Sequence, residues 1–156
     1  MKRVLFVALA LVIAGGMAFG AGQGEGGAID IGIAMPETHV ERWQRDGAAL
    51  LEGAQEAGFP AEVTYGYAHQ GLQNEQLQNF LPKGAQLLII GNINEGVNSV
   101  VAEAADEGIT VIAYDRLITG SDDYNYYITF DNFRVGVFQG TAIEEALDLP
   151  NASSSD

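Results

Sequence analysis

Two short clusters carry the side chains best equipped for chemistry. Asp115 and Arg116 follow directly on the run Val111-Ile112-Ala113-Tyr114, and Arg42 stands beside Trp43, the one tryptophan of the chain. A carboxylate accepts hydrogen bonds through two oxygens, and a guanidinium donates several in a fixed planar fork. Side by side they suit a ligand built of neighbouring hydroxyls. A tryptophan next to them suits the apolar C–H face of a sugar ring, because small-molecule pockets combine an aromatic wall with a few placed polar groups. Each cluster also has a plainer reading: Asp115 and Arg116 as an ion pair at a strand end, Trp43 as core on the apolar stripe of its helix, Arg42 as part of a solvated face. The residues alone leave both readings open.

Other chemistry finds less support. His39 and His69 lack carboxylate or histidine partners at metal-ligand spacing, so no metal site is expected. The chain has no cysteine, which removes thiol nucleophiles, Cys-based zinc sites and disulfides. It has no nucleophile elbow, no phosphate loop ending in Gly-Lys-Ser/Thr and no H-E-x-x-H, so no catalytic residue and no cofactor is assigned, and the protein is read as a non-enzyme. Gly22-Gln-Gly24-Glu-Gly26-Gly27 spells G-x-G-x-x-G, but it precedes the first strand instead of following one. It reads as a linker. Asn92, Asn94 and Glu95 follow the third apolar run. They can reach a ligand, or Asn94 can simply cap the next helix.

The elements that must position these residues follow from hydrophobic periodicity. Short apolar runs predict strands at 29–35, 61–67, 86–91, 109–114 and 126–130. Apolar residues at three- and four-residue spacing predict helices at 40–57, 72–81, 97–107 and 132–147. The inward faces are Val40, Trp43, Gly47, Leu50, Leu51 and Ala54 on the first helix, and Val97, Val100, Val101, Ala104 and Ala105 on the third. Leu87-Leu88-Ile89-Ile90 has no polar break, as in a strand covered on both faces. Strand and helix in alternation imply parallel strands with right-handed crossovers, hence a doubly wound α/β sheet of usual order 2-1-3-4-5. The loops 36–41, 92–95 and that of Asp115-Arg116 then converge at the carboxyl ends of the strands, where such sheets bind ligands.

Composition narrows the partners. Asp and Glu number 21 against 7 Lys and Arg, a formal charge of −14, which argues against nucleic acid and anionic membranes. Residues 1–20 begin with Lys2-Arg3, continue through a short apolar run and end in Ala18-Phe19-Gly20, the three regions of a cleaved secretory signal peptide. Residues 21–28 read as a flexible leader. Without cysteine there is no lipid-modified N-terminus, so a soluble, periplasmic protein is expected.

Four segments in order carry a resemblance. Ile31-Gly-Ile-Ala-Met-Pro36, Arg42-Trp43-Gln-Arg-Asp-Gly47, Ala113-Tyr-Asp-Arg-Leu-Ile118 and Tyr127-Ile-Thr-Phe-Asp-Asn-Phe-Arg-Val-Gly136 resemble the periplasmic sugar-binding proteins of ABC importers, of the xylose-binding and multiple-sugar-binding type. Gln76-Leu-Gln-Asn-Phe-Leu-Pro-Lys-Gly84 follows the same pattern, with Pro82 at a position more often non-proline. The resemblance implies two α/β lobes of the type I class that close on one sugar. It also implies Arg42, Trp43, Asp115 and Arg116 as the first lobe's ligand residues, with Asp131 and Asn132 at the hinge near the cleft mouth; His39 and Asn94 are further candidates for ligand or hinge contact. Residues 29–131 would form that lobe, and 132–156 would be the first helix and linker of a second lobe beyond Asp156, making the chain an N-terminal fragment.

The expected partners are a monosaccharide (an aldose such as xylose, glucose or galactose), an ABC permease and a chemoreceptor. A competing reading is the effector domain of a LacI-type transcription regulator, which shares the fold but needs an N-terminal helix-turn-helix. Another is a small α/β sugar-processing enzyme, which needs a positioned acid–base pair.

Overall fold

The computed structural model describes residues 27–148. The expected signal segment, most of the leader and the tail at 151–156 lie outside the described residues. Five strands, β1 (Ile31–Met35), β2 (Ala61–Tyr65), β3 (Leu87–Ile90), β4 (Thr110–Tyr114) and β5 (Tyr126–Ile128), form one sheet of order β2-β1-β3-β4-β5. Every pairing is parallel, with Ile33 opposite both Val63 and Ile89, and Ile90 opposite Ala113. Among the described residues four α-helices accompany them: α1 (Glu41–Glu56), α2 (Gln70–Phe80), α3 (Asn98–Asp106) and α4 (Asn132–Ala146). This is the doubly wound type I lobe expected from the sequence. Its switch point lies between β1 and β3.

Alternation along the central strands feeds two cores. Ile33 and Met35 of β1 meet Trp43 of α1, backed by Leu50, Leu51, Val63 and Ile89. On the opposite face Ala34, Leu88, Ile90, Val111 and Ala113 meet Leu77 and Phe80 of α2 and Val100, Val101 and Ala104 of α3. Complete burial of such a side chain contributes roughly 1.5–3 kcal/mol. Gly32 lets Phe80 lie directly on β1, because a Cβ there would stand 2.4 Å from the phenyl ring. Gly47 does the same for α1, whose backbone approaches the Tyr65 hydroxyl and the side chains of Met35 and Val63.

Several boundaries differ from the periodicity, each for a local reason. Strand β2 stops at Tyr65, not 67, because Tyr67 and Ala68 turn left-handed, with φ of 50° and 60°. Helix α2 starts at Gln70, not 72, because His69 Nδ1 caps it by accepting from Leu72 N at 3.0 Å. Strand β5 keeps three residues of the five expected. Val40, expected inward, is 47% exposed and serves as the extended N-cap residue of α1. Ala105, also expected inward, is exposed.

The link from β4 to β5 has no helix. Residues 115–125 make the crossover as an irregular segment, and Ile118, 1% exposed, plugs the α2–α3 core where a helix would otherwise pack. Asn125 then fixes the start of β5 by donating its N–H to Val111 O and accepting Val111 N at its side chain. Beyond this point burial ends. All three residues of β5 are exposed, and α4 has no buried residue although Phe133, Val137, Phe138, Ile143 and Leu147 give it an apolar stripe.

Candidate functional site

The first turn of α1 and the end of β4 meet above the switch point. Chain direction at β4 is decided by Asp115, whose φ of 63° is left-handed, a conformation that Asp and Asn tolerate better than most side chains. The reversal is held on both sides. Asp115 N donates to Ile128 O at 2.7 Å, while Asp115 O accepts from Tyr127 Oη at 3.2 Å and Thr129 Oγ1 at 3.1 Å. With its backbone so fixed, the carboxylate faces α1, and Arg42 Nη2 meets its Oδ2 at 2.6 Å.

Trp43 is both core and wall. Its side chain is 3% exposed and packs with Ile33 and Met35. The Arg42 guanidinium lies 4.3 Å from its ring centroid and that of Arg116 lies 5.1 Å away, both at cation–π range. Gly91 makes room for this packing, since a Cβ there would sit 3.0 Å from Pro36 and 3.5 Å from Trp43. Arg116 is tied in turn to the loop after β3, donating through Nη1 to Asn92 O at 3.2 Å. The four residues named first from the sequence, Arg42, Trp43, Asp115 and Arg116, therefore form one contiguous cluster.

The other four sequence candidates make local contacts. His39 is exposed, with Nδ1 3.7 Å from Glu37 Oε2. Asn94 caps a short 3-10 turn by accepting from Gly96 N at 2.8 Å. Asp131 caps α4 through Arg134 N at 2.9 Å, and Asn132, exposed, opens that helix.

Several residues around the cluster escaped the sequence reading. Asp46 stands one turn beyond Arg42, its Oδ2 3.6 Å from Arg42 Nε, so the guanidinium sits between two carboxylates. That spacing was legible as an i,i+4 pair. Phe130 lies 5.6 Å from the same guanidinium and, with Tyr114, Ile128 and Thr129, lines a small cleft beside Asp115. Gln73, wholly buried, donates to Gly91 O at 2.9 Å and accepts from Ile93 N at 3.3 Å, while Gln70 accepts from Asn94 N at 2.9 Å. These two glutamines pin the loop that carries Asn92.

The electrostatics follow the geometry. The hydrogen bond from Asp115 is the largest influence on Arg42 and holds its pKa above the ordinary value, against the partial burial that lowers it. Burial pushes the Tyr114 hydroxyl up, and the neighbouring Asp46 carboxylate adds to the shift. The result is a cluster of two guanidinium groups and two carboxylates beside one aromatic ring. It can hydrogen-bond neighbouring hydroxyls. Among the described residues no group of three His, Asp or Glu side chains is placed to hold a metal ion.

Comparison with known proteins identifies relatives of the whole lobe. Over 154 residues, 96% of this chain and 42% of the relative, it is 38% identical to the multiple sugar-binding periplasmic receptor ChvE of Rhizobium radiobacter. It is 35% identical over 124 residues to the D-xylose-binding periplasmic protein of Escherichia coli, covering 79% of this chain and 37% of that one. Among solved structures, an ABC transporter solute binding protein from Clostridium phytofermentans with bound β-D-glucose superposes with a TM-score of 0.73 at 40% identity, over 78% of this chain and 38% of that one. A carbohydrate transporter solute binding protein from Chloroflexus aurantiacus, in complex with D-glucose, gives 0.69 at 30% identity, over 80% and 35%. The chain thus spans less than half the length of these relatives. Residues 31–150 match the family described as periplasmic binding protein domain, and the chain belongs to that family.

Proposed function

We propose that this chain forms the N-terminal lobe of a periplasmic solute-binding protein that takes an aldose such as xylose, glucose or galactose and delivers it to an ABC importer, with a chemoreceptor as a second partner. The observation that carries the reading is the Arg42–Asp115 pair, 2.6 Å apart at the carboxyl ends of parallel strands and set against Trp43. In this reading Asp115 accepts from vicinal hydroxyls, Arg42 and Arg116 donate, and Trp43 is the wall behind them. The lobe comprises 29–131. Asp131 and Asn132 lie at a hinge, and 132–156 begin a second lobe that supplies the opposing wall. The relatives named above, bearing sugar-binding names or bound glucose, support the substrate class. Export by the signal segment at 1–20, without a lipid anchor, belongs to the same proposal.

Isothermal titration calorimetry with a panel of aldoses tests it, using both this chain and the full-length protein. Closure around a ligand needs both walls, so the full-length form is expected to bind and this chain to bind feebly or not at all. Absence of aldose binding by the full-length form would overturn the function. Tight binding by this chain would overturn the two-lobe part.

A further inference from the structure

Asp46 is the one charged group of the cluster without a role so far. Its Oδ2 is buried without a hydrogen-bond partner, an uncommon state for a carboxylate oxygen, although the Tyr114 hydroxyl faces the same carboxylate. The nearest cation is Arg42, whose Nε stands 3.6 Å away, just beyond hydrogen-bond length. Arg42 is held at its other end, where Nη2 meets Asp115 at 2.6 Å. A guanidinium is planar and rigid, with donors at fixed angles. Two carboxylates on two of its edges therefore define both the direction and the plane of the fork. Asp46 lies on the same helix as Arg42 and Trp43, one turn further in, so this second anchor does not depend on the approach of β4.

The arrangement has a consequence when a ligand arrives. Under the sugar-binding reading above, Asp115 must turn acceptor capacity toward ligand hydroxyls, which loosens its hold on Nη2. Asp46 can then close the remaining gap to Nε by a small rotation of the guanidinium, satisfying its own orphaned oxygen. We propose that Asp46 is a positioning residue for the site: it never reaches the ligand, and it holds the Arg42 guanidinium against Trp43 while Asp115 is engaged elsewhere. The inference deepens the sugar-binding reading and rests on it only for the ligand-bound step. The ligand-free step stands on the geometry of the lobe.

The test reads the Arg42 Nε–H directly, by nitrogen-15 NMR of arginine side chains in the 156-residue chain. Arg45 is the internal control, because its pair with Glu41 is largely exposed and 4.0 Å long. In the wild type the Arg42 Nε–H is expected to exchange with solvent about tenfold more slowly than that of Arg45, because the buried Asp46 carboxylate 3.6 Å away repels the hydroxide that removes the proton. Asp46→Asn is expected to remove that protection. Asp46→Glu, which keeps the carboxylate on a longer stem, is expected to retain it, and Tyr114→Phe is expected to leave it unchanged. Equal exchange of Arg42 and Arg45 in the wild type, or undiminished protection in Asp46→Asn, would overturn the inference. In the full-length protein Asp46→Asn is expected to weaken aldose affinity about tenfold with the melting temperature kept, and Asp46→Glu to restore it. Unchanged affinity in Asp46→Asn would also count against it. If the wild-type full-length protein binds no aldose, the functional reading fails, while the exchange measurement still decides the role of Asp46 in the free lobe.

Discussion

The centre of the sheet and its β5–α4 end both carry apolar side chains and treat them in opposite ways. Around β1, β3 and β4, residues such as Ile33, Leu88 and Val111 have no exposed surface, and even Trp43 keeps 3%. Along β5 and α4, Tyr126, Ile128, Phe133, Phe138 and Leu147 are all exposed, Phe133 by 84%. An apolar stripe at helical spacing thus says that a face is to be covered, without saying by what. The polar cluster sits on the boundary, resting on the buried half and receiving its last backbone bonds from Tyr127, Ile128 and Thr129 of the exposed half.

The sharpest test of this contrast is a core truncation. Leu88→Ala should cost roughly 2–5 kcal/mol in denaturant unfolding, the range for a fully buried leucine. A loss under about 1 kcal/mol would mean that the centre is not the packed region described. Adding a methyl is the converse experiment. Gly32→Ala should cost about 1–3 kcal/mol, since Phe80 must leave β1 to admit it.

At the boundary, Asp115→Asn keeps a side chain that tolerates φ of 63° but removes the charge facing Arg42. Stability should fall by about 1 kcal/mol or less, because the pair is partly solvated. Aldose affinity of the full-length protein should fall at least about tenfold, because the lost interaction is charge-assisted. Calorimetry and denaturant unfolding on the same variant separate the two.

At the exposed end, Ile143→Ala should change the stability of this chain by no more than about 0.5 kcal/mol. A larger loss would show that the α4 stripe is covered in solution and would erase the comparison.

The smallest effect is an alkaline one. Burial raises the pKa of Tyr65 and Tyr114 above the ordinary 10.0, so the folded state holds those protons longer than the unfolded chain does. Their contribution is therefore intact below about pH 10 and is lost as pH rises through the folded values. Tyrosinate absorbance should show two late-ionising groups, lost in Tyr65→Phe and Tyr114→Phe.

Legibility from the sequence followed the same divide. Parallel order, the switch point and the Arg42, Trp43, Asp115, Arg116 cluster were readable, because uninterrupted runs such as Leu87-Leu88-Ile89-Ile90 specify a doubly covered strand and leave polar residues only at its end. Strand and helix ends were not, because they depend on backbone events at single residues: the left-handed turn at Tyr67 and Ala68 and the cap by His69. Gln73 was missed for a related reason. Its amide satisfies loop backbone groups that are far off in sequence, 18 residues away at Gly91. Asp46 could have been found by counting one helical turn from Arg42, and was passed over because i,i+4 ion pairs on a helix are commonplace.

The packing of Trp43 has an optical consequence. It is the only indole in the chain, it is shielded from water, and two guanidinium groups stand 4.3 and 5.1 Å from its ring. Its emission should be blue-shifted, and its intensity set by where those two cations lie. Any event that moves Arg42 or Arg116 then changes the fluorescence of an unlabelled protein. The crevice contains its own reporter.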